Sequence, residues 1–289
     1  MSRPESGQKR LGYSKALLRR PAAAISVAFL LVLAVAAVAA PYLAPHNPAR
    51  QSLRSRLLPP MPLAGSQQTH ALGTDQLGRD VLSRLLYGAR VSLLVGMSVV
   101  VIAASIGTGL GLAAGYLGGR VDAVLMRIVD IFLAFPFLLL AIVFMATLGP
   151  GLKNIILVLA LTGWLDYART VRAQVLALRE TEYVTAAEAL GVVKSGVMWR
   201  HIFPNILASV IVIASLQVGA VIVAEASLTF LGLGVPPAIP TWGTMLATGR
   251  EYMSSAWWLA TLPGVAITLT VLAVNTIGDW LRDARDPYL

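Results

Sequence analysis

The sequence has no cysteine, and only 13% of its 289 residues are charged. The absence of cysteine excludes disulfides, zinc-thiolate centres and thiol nucleophiles. Acidic residues are especially few, with 14 Asp and Glu against 23 Lys and Arg, so the formal net charge is +9. In a soluble protein this balance would suggest nucleic acid as a partner. Membrane proteins reach the same balance by collecting Lys and Arg in their cytoplasmic segments, and we favour that interpretation over nucleic acid.

The sequence also shows no motif for two kinds of binding site. A Walker A loop needs Gly-x4-Gly-Lys-Ser/Thr, and the one Lys-Ser pair, Lys194-Ser195, follows a valine. ATP hydrolysis is therefore expected from another chain, and no catalytic residue is predicted here. His46, His70 and His201 are scattered and lack metal-ligand spacing. The sequence therefore predicts isolated surface histidines and no metal site.

What the sequence has in abundance is apolar residues, which make up 57% of the chain and give a mean hydropathy of +0.74. A membrane-spanning helix needs roughly 20 predominantly apolar residues. Runs of this kind lie at about 21–41, 88–117, 123–148, 152–176, 204–232 and 258–280. The first is longer than the roughly 7–15-residue apolar core of a secretory signal peptide, so we interpret it as a spanning helix. The sequence therefore predicts an all-α membrane protein with six transmembrane helices.

These runs divide the chain into segments. We predict a cytoplasmic tail over 1–20, a first transmembrane helix over 21–41, an extracytoplasmic loop and interfacial helix over 42–86, a core with five transmembrane helices over 87–281, and a cytoplasmic tail over 282–289. Basic residues concentrate in the N-terminal tail and between the fourth and fifth runs, which places both termini in the cytoplasm. Five arginines fall in the opposite compartment, but the N-terminal tail should dominate the orientation.

Two local features are predicted around the second run. The segment LGTDQLGRDVLSRLLYGAR is expected to be a helix capped by Thr74 or Asp75, with an i,i+4 pair between Asp80 and Arg84. It is expected to lie along the outer membrane interface before it turns into the second span. Within that span, small residues let helices approach closely, so its glycines predict tight packing inside a bundle: Gly107, Gly109, Gly111 and Gly115.

Charged residues within the apolar runs are candidates for the lining of a translocation pathway, because each would cost about 2.5–3.5 kcal/mol facing lipid at the bilayer centre. Arg127 with Asp130, and Asp166 with Arg169, form i,i+3 pairs, for which structural pairing is favoured. Glu225 has no cation nearby in sequence and is predicted near the outer end of its span. For Glu225, a pathway role and a structural hydrogen bond to a neighbouring helix both remain open. The pathway candidates are Glu225, Asp130 and Asp166.

A polar, helix-forming segment, EYVTAAEALGVVKSGVMWRHIFPN at 182–205, separates the fourth and fifth runs. An apolar stripe recurs at steps of three and four, which predicts one face of a helix: Tyr183, Ala186, Leu190, Val193 and Val197. A helix of this length is marginal alone in water, so either the membrane surface or a partner protein should cover the stripe. Small residues such as Gly191 favour a partner, because they allow close approach to the backbone. Pro204 suits the first turn of the next span.

The same segment resembles a known motif. TAAEALG followed by HIFP resembles the EAA loop of ABC importer permeases, with Ala186, Ala187, Gly191 and Pro204 at matching positions. The sequence departs from the family pattern at Thr185, which stands in place of the usual glutamate, and at His201 and Phe203. Glu182 and Glu188 lie about one turn away and are candidates to replace that glutamate. Other segments, among them GTDQLGRD, FLGLGVPP, PTWGTML and GDWLRDARDP, resemble the C-type permease subunit of dipeptide, oligopeptide and nickel ABC importers.

This resemblance implies a fold and a mechanism. The fold would be that of a type I ABC importer permease, in which a cytoplasmic coupling helix at about 183–199 docks in a groove of an ATPase subunit. The residues implied in that contact are Glu182, Tyr183, Thr185, Ala186, Ala187, Glu188, Leu190, Gly191 and Pro204. Movement of the ATPase pair would tilt the spans between inward-open and outward-open states.

The resemblance also implies partners, cargo and location. The partners would be a homologous B-type permease, one or two ABC ATPase subunits that bind ATP and Mg²⁺, an extracytoplasmic peptide-binding protein, and membrane lipid. The cargo would be di- or oligopeptides, with nickel as the alternative, and the location a prokaryotic cytoplasmic membrane. A secondary transporter is the less favoured alternative, because it would normally show an internal repeat of helices.

Overall fold

The computed structural model describes residues 20–63 and 65–284. The described residues are helices and connecting loops, and their β structure is limited to an isolated bridge between Thr74 and Asp80. The predicted tails at 1–20 and 282–289 lie mostly outside the described residues. The all-α fold class is confirmed.

The helices follow one another with short connections. They are α1 (Pro21–Val38), α2 (Val81–Leu117), α3 (Gly119–Leu133), α4 (Phe137–Leu148), α5 (Leu152–Leu178), α6 (Glu182–Ala189), α7 (Phe203–Phe230), α8 (Trp242–Gly249) and α9 (Trp258–Asp283). Short α-helical turns occur at Ala40–Leu43 and Lys194–Gly196, and 3₁₀ turns at Leu53–Ser55 and Arg250–Tyr252. A π-helical segment, Val197–Ile202, leads directly into α7.

Four stretches among the described residues are long and apolar enough to cross a membrane: Pro21–Val38, Val81–Leu117, Lys194–Phe230 and Trp258–Asp283. The bent pair of α3 and α4 makes a fifth if it is counted as one span. Helix α5 has 27 residues, so its length of roughly 40 Å also suffices. It carries Lys153, Asp166, Arg169 and Arg172, however, and its apolarity is lower than that of the other spans. All six predicted runs are thus helical, and the fourth differs by its charges rather than by its length.

The run at 123–148 is not one straight helix, as the sequence predicted. It breaks at 134–136, and α3 and α4 meet at an angle of 88°. Pro136 explains the break, because proline lacks a backbone N–H and disfavours helical geometry in the residue before it, here Phe135. Two half-helices therefore replace the predicted third span.

The predicted interfacial helix before the second span is also wrong. Helix α2 is continuous over 37 residues, and Asp80, rather than Thr74 or Asp75, is its N-cap, accepting a hydrogen bond from Ser83 N at 2.8 Å. The predicted Asp80–Arg84 pair does not form. Arg84 Nε lies 3.6 Å from Asp75 Oδ2 instead, because the Asp80 carboxylate is turned to the helix cap.

Helix α2 packs closely along α5 through three of its glycines. A Cβ atom on Gly107 would lie 2.3 Å from the backbone oxygen of Trp164, and one on Gly111 would lie 2.7 Å from that of Ala168. Gly115 faces α5 in the same way, while Gly109 faces open space. Residues four apart share one face of a helix, so the three glycines form the groove into which α5 fits. The predicted close packing is confirmed for these three positions.

The described ends of the chain meet at one end of the bundle, because Arg20, just before α1, forms an ion pair with Asp283 at the end of α9. Helices α7 and α9 are antiparallel, with Gly219 beside Asn275 and Gly278 beside Leu216. The last turn of α9 therefore lies at the same end of the bundle as the start of α7 and as helix α6, which precedes it. This geometry places α6 and the described ends of the chain at the same end of the bundle.

Candidate functional site

The polar segment between α5 and α7 forms a shorter helix than predicted. Helix α6 ends at Ala189, and Gly191 adopts a left-handed conformation with φ of 81°. Its N–H donates to the Glu188 carbonyl at 2.9 Å, and Val192 N–H donates to that of Ala187 at 3.1 Å. Glycine in this conformation is a common helix terminator, so the coupling helix predicted at 183–199 is wrong in its C-terminal half.

The buried face of this segment also differs from the predicted stripe. Val184 and Ala187 are buried in α6, whereas Tyr183, Ala186 and Leu190 are exposed. The predicted periodicity assumed one helix, but the chain turns at Gly191. Pro204 does occupy the first turn of α7, as predicted.

Large apolar side chains stand exposed on the segment. Leu190 is 85% exposed, Val193 69% and Trp199 55%, and Tyr183 is partly exposed as well. We call these four residues the docking patch. A side chain added at Gly191 would meet no atom of the described structure within 4 Å, so the space beside the patch is open. Exposed apolar patches rimmed by polar residues are typical of interaction surfaces.

The segment is tied to the spans by hydrogen bonds. The hydroxyl of Tyr116, in the last turn of α2, donates to Glu188 Oε1 at 2.6 Å. Asn205 Nδ2 donates to the Tyr183 hydroxyl at 3.2 Å, which links α6 to the first turn of α7. Because Glu188 is bonded to α2, Glu182 is the more available of the two glutamates that were predicted to replace the family's acid. These links were missed in the sequence, because their partners lie up to 72 residues apart.

A further ion pair braces the neighbouring helices. Arg172 in α5 donates to Asp122 in α3, through Nη2 to Oδ2 at 2.7 Å and through Nε to Oδ1. Arg179, just beyond α5, donates to the Gly115 carbonyl at 3.3 Å. Bidentate Arg–carboxylate pairs combine strength with fixed geometry. The ends of α2, α3 and α5 therefore form a braced platform that supports α6.

The acids that were predicted to lie within the membrane pair differently from the prediction. Asp130 in α3 lies 3.5 Å from Arg169 in α5, so the local pairs Arg127–Asp130 and Asp166–Arg169 are wrong. Adjacent helices bring Asp130 and Arg169 closer than the spacing along either helix does. Both side chains are exposed on the surface of the bundle, as is Asp166. Charges exposed at membrane depth face a partner protein or water rather than lipid.

Asp166 also lines a cavity of about 260 Å³ between α3, α5 and α7, beside the break at Pro136. Its walls are mixed in character. Phe132, Phe135 and Phe137 supply apolar surface, while Thr162, Asp166 and Gln217 supply polar groups. The aromatic residues come from either side of the bend, so the bend shapes the cavity.

Glu225 is 1% exposed, and its Oε1 accepts hydrogen bonds from Thr229 at 3.0 Å and Thr241 at 3.2 Å. Thr241 is the N-cap of α8, so the carboxylate joins α7 to α8. The packing is tight here, because a Cβ atom on Gly243 would lie 2.8 Å from Ala226 Cα. This geometry fits the structural hydrogen bond better than the pathway role, which stays a prediction.

Comparison with known proteins agrees with this architecture. Residues 107–289 match the family described as binding-protein-dependent transport system inner membrane component. The chain belongs to this family. Residues 14–60 match the N-terminal transmembrane domain of oligopeptide transport permease C. The chain is thus a C-type permease of the dipeptide, oligopeptide and nickel ABC importer group.

Individual relatives match over most of the permease. The di/tripeptide transport system permease protein DppC of Pseudomonas aeruginosa is 47% identical over 261 residues, which cover 90% of this chain and 86% of the relative. The dipeptide transport system permease protein DppC of Escherichia coli K12 is 48% identical over 271 residues, covering 94% and 90%.

One solved structure shows the same fold in the permease. This structure is of the MetNI methionine ABC transporter in inward-facing conformations. Its matching chain superposes with a TM-score of 0.59, and the match covers 70% of this chain and 97% of that chain. Its sequence identity is 18%, so the likeness concerns the fold alone. The fold is that of a type I ABC importer permease.

Proposed function

We propose that this permease forms half of the translocation pathway of an ATP-driven importer of di- or oligopeptides, and that its docking patch binds a separate ATPase subunit. The observation that carries the proposal is the docking patch itself, an exposed apolar surface in a polar segment. The names of the relatives, which specify dipeptide and di/tripeptide transport, support the choice of cargo.

The links between the patch and the spans supply a route for coupling. ATP and Mg²⁺ bind to the ATPase subunits, and closure of those subunits moves the docking patch. Glu188 passes the movement to α2 through Tyr116, and Tyr183 passes it to α7 through Asn205. Because these contacts connect α6 to both α2 and α7, displacement of α6 changes the tilt of both spans at the same time.

The exposed charges support a pathway between two permeases. Asp130, Asp166 and Arg169 are exposed on α3 and α5, where a homologous B-type permease would cover them and leave a polar channel. The carboxylate of Asp166 meets the positive N-terminus of a peptide, while the aromatic residues of the adjacent cavity contact its apolar side chains. The permease itself binds no cofactor in this scheme.

The importer test is peptide uptake by cells that depend on this permease. Loss of the chain should abolish uptake of a radiolabelled dipeptide and leave nickel uptake unchanged, and a tagged chain should copurify with an ABC ATPase and a second permease. Loss of nickel uptake with normal dipeptide uptake would reverse the assignment of cargo. If the tagged chain copurified with the second permease but not with an ATPase, the result would contradict the coupling role of the docking patch.

We place the docking patch and both chain ends in the cytoplasm of a prokaryotic cell, and the loops at 44–72 and 232–257 outside, where the peptide-binding protein docks. The permease has no native cysteine, so single reporter cysteines report without background. Ser195→Cys should react with a membrane-impermeant thiol reagent only in inside-out vesicles, and Gln68→Cys only in intact cells or spheroplasts. The reverse labelling pattern would contradict this orientation.

A further inference from the structure

Two histidines that the sequence places far apart meet an aspartate at the outer end of α2. The rings of His46 and His70 lie 4.6 Å apart between centroids. His70 Nδ1 is 2.9 Å from Asp80 Oδ1, and His46 Nδ1 is 3.8 Å from the same oxygen. The prediction that these histidines are isolated surface residues is therefore wrong. The outer loop folds back onto α2 and brings them together.

The helix cap fixes the position of the aspartate. Asp80 Oδ2 accepts hydrogen bonds from Ser83 N at 2.8 Å and from Ser83 Oγ at 2.7 Å. The other oxygen, Oδ1, is left to face the two histidines. The backbone N–H of His46 donates a hydrogen bond to the same hydroxyl, Ser83 Oγ, at 3.1 Å, and this bond holds His46 beside the cap. Asp80 is almost fully buried, so its orientation is fixed by the surrounding structure.

The three side chains have the ligand types and spacing of a metal centre. One ligand atom from each lies within 4.8 Å of the others. Two ligands of a tetrahedral Zn²⁺ ion, each bound at about 2.0–2.1 Å, lie roughly 3.3 Å apart, between the two distances to Asp80 Oδ1. His46 Nδ1 is buried and has no hydrogen-bond partner among the described residues. A metal ion would satisfy this atom.

We propose that His46, His70 and Asp80 form a binding site for a divalent transition metal ion, with Zn²⁺ as the best match. The ligands are Nδ1 of each histidine and Oδ1 of the aspartate, since imidazole and carboxylate together suit Zn²⁺ and its neighbours in the first row. All three side chains line a cavity of about 260 Å³, together with Arg50, Gln67 and Thr69, and this cavity would leave room for a fourth ligand. The positive charge of Arg50 favours an anionic fourth ligand, such as hydroxide or a carboxylate.

The metal would fasten the outer loop to the start of α2. His46 and His70 belong to the loop between α1 and α2, whereas Asp80 caps the helix. Because the three ligands come together only when the loop is folded against α2, metal binding stabilises this folded arrangement and not the unfolded chain. This inference does not rest on peptide import, and its test measures binding and stability rather than transport.

The test uses the full chain, purified in detergent with a histidine-free tag and stripped of metal with a chelator. We expect a single Zn²⁺ to bind per chain in a calorimetric titration and to raise the melting temperature. Removing a residue that only hydrogen-bonds to a metal ligand typically weakens metal binding about 10–100-fold. Removing a ligand itself, by His46→Gln or His70→Gln, should therefore weaken binding at least tenfold. His201→Gln makes the same change outside the site and should leave binding unchanged.

Two further measurements decide the outcome. Co²⁺ bound by the wild type should give the intense visible absorption of a tetrahedral centre, and the double variant of His46→Gln and His70→Gln should lose it. The helical circular dichroism of each metal-free variant should match that of the wild type, which separates a lost ligand from a lost fold. His46→Gln is the safer variant for this purpose, because His46 Nδ1 has no hydrogen-bond partner among the described residues, whereas His70 Nδ1 lies 2.9 Å from Asp80 Oδ1. Absence of stoichiometric binding, or equal binding by the double variant, would overturn the proposal.

Discussion

Replacing Leu190 with aspartate is expected to abolish peptide uptake and to leave the permease folded in the membrane. Leu190 is 85% exposed and belongs to no core cluster, so the change removes no packing within the chain. In the assembled importer the same side chain would be covered by the ATPase subunit. Aspartate would lose about 1.5–3 kcal/mol of apolar burial and would bury an unpaired charge at a cost of roughly 3–5 kcal/mol. The affinity for the ATPase should therefore fall more than 100-fold.

The measurement is copurification of the ATPase with the tagged permease, followed by peptide-stimulated ATP hydrolysis and by uptake. Leu53→Asp is the matched control, because Leu53 is also an exposed leucine but lies in the loop at the opposite end of the bundle. This control should retain the ATPase. If Leu190→Asp retained the ATPase and transported normally, the docking patch would have to be covered by something other than the ATPase, such as the membrane surface.

The sequence predicted the spans well, because long apolar runs in a membrane have few options other than helices. Its failures lie where one residue interrupts a run. Pro136 divides the run at 123–148, and Gly191 ends α6, yet both signals were present in the sequence. The apolar periodicity at 183–197 continues past Gly191 although the helix ends there, so the periodicity predicts the wrong buried face for α6.

Pairings between elements were beyond the reach of local patterns. Asp130 meets Arg169 and Tyr116 meets Glu188 only because α2, α3 and α5 pack together, and spacing along one helix carries no signal of that. The contribution of Trp199 to the docking patch was missed for a related reason. In the structure it lies in a π-helical segment, where the 3.6-residue periodicity used to read the sequence no longer applies.

The glycine groove between α2 and α5 gives the largest expected effect on the fold. Gly107→Ala should sharply reduce the yield and the melting temperature of the permease, because the added methyl carbon would lie 2.3 Å from the Trp164 carbonyl oxygen and 2.6 Å from Tyr167 Cβ. The first of these is a backbone atom and cannot rotate away, so α5 must move. Overpacking a core typically costs 1–3 kcal/mol, and we expect at least the upper end of that range, ~3 kcal/mol, for a clash with backbone.

Gly109→Ala is the matched control, since it places the same methyl group on the same helix, one turn or less away, where no atom lies within 4 Å. Alanine is favoured over glycine inside a helix by about 1 kcal/mol, so this variant should melt at the same temperature as the wild type or higher. The opposite signs of the two effects exclude a general response to the loss of glycine. The measurement is thermal unfolding of the purified variants in detergent, and equal melting temperatures would contradict the close contact of α2 with α5.

Because Gly115, in the same groove, accepts a hydrogen bond from Arg179 through its carbonyl, separation of these helices should also loosen the platform beneath α6. Gly107→Ala protein that still folds should therefore bind the ATPase more weakly than Gly109→Ala does.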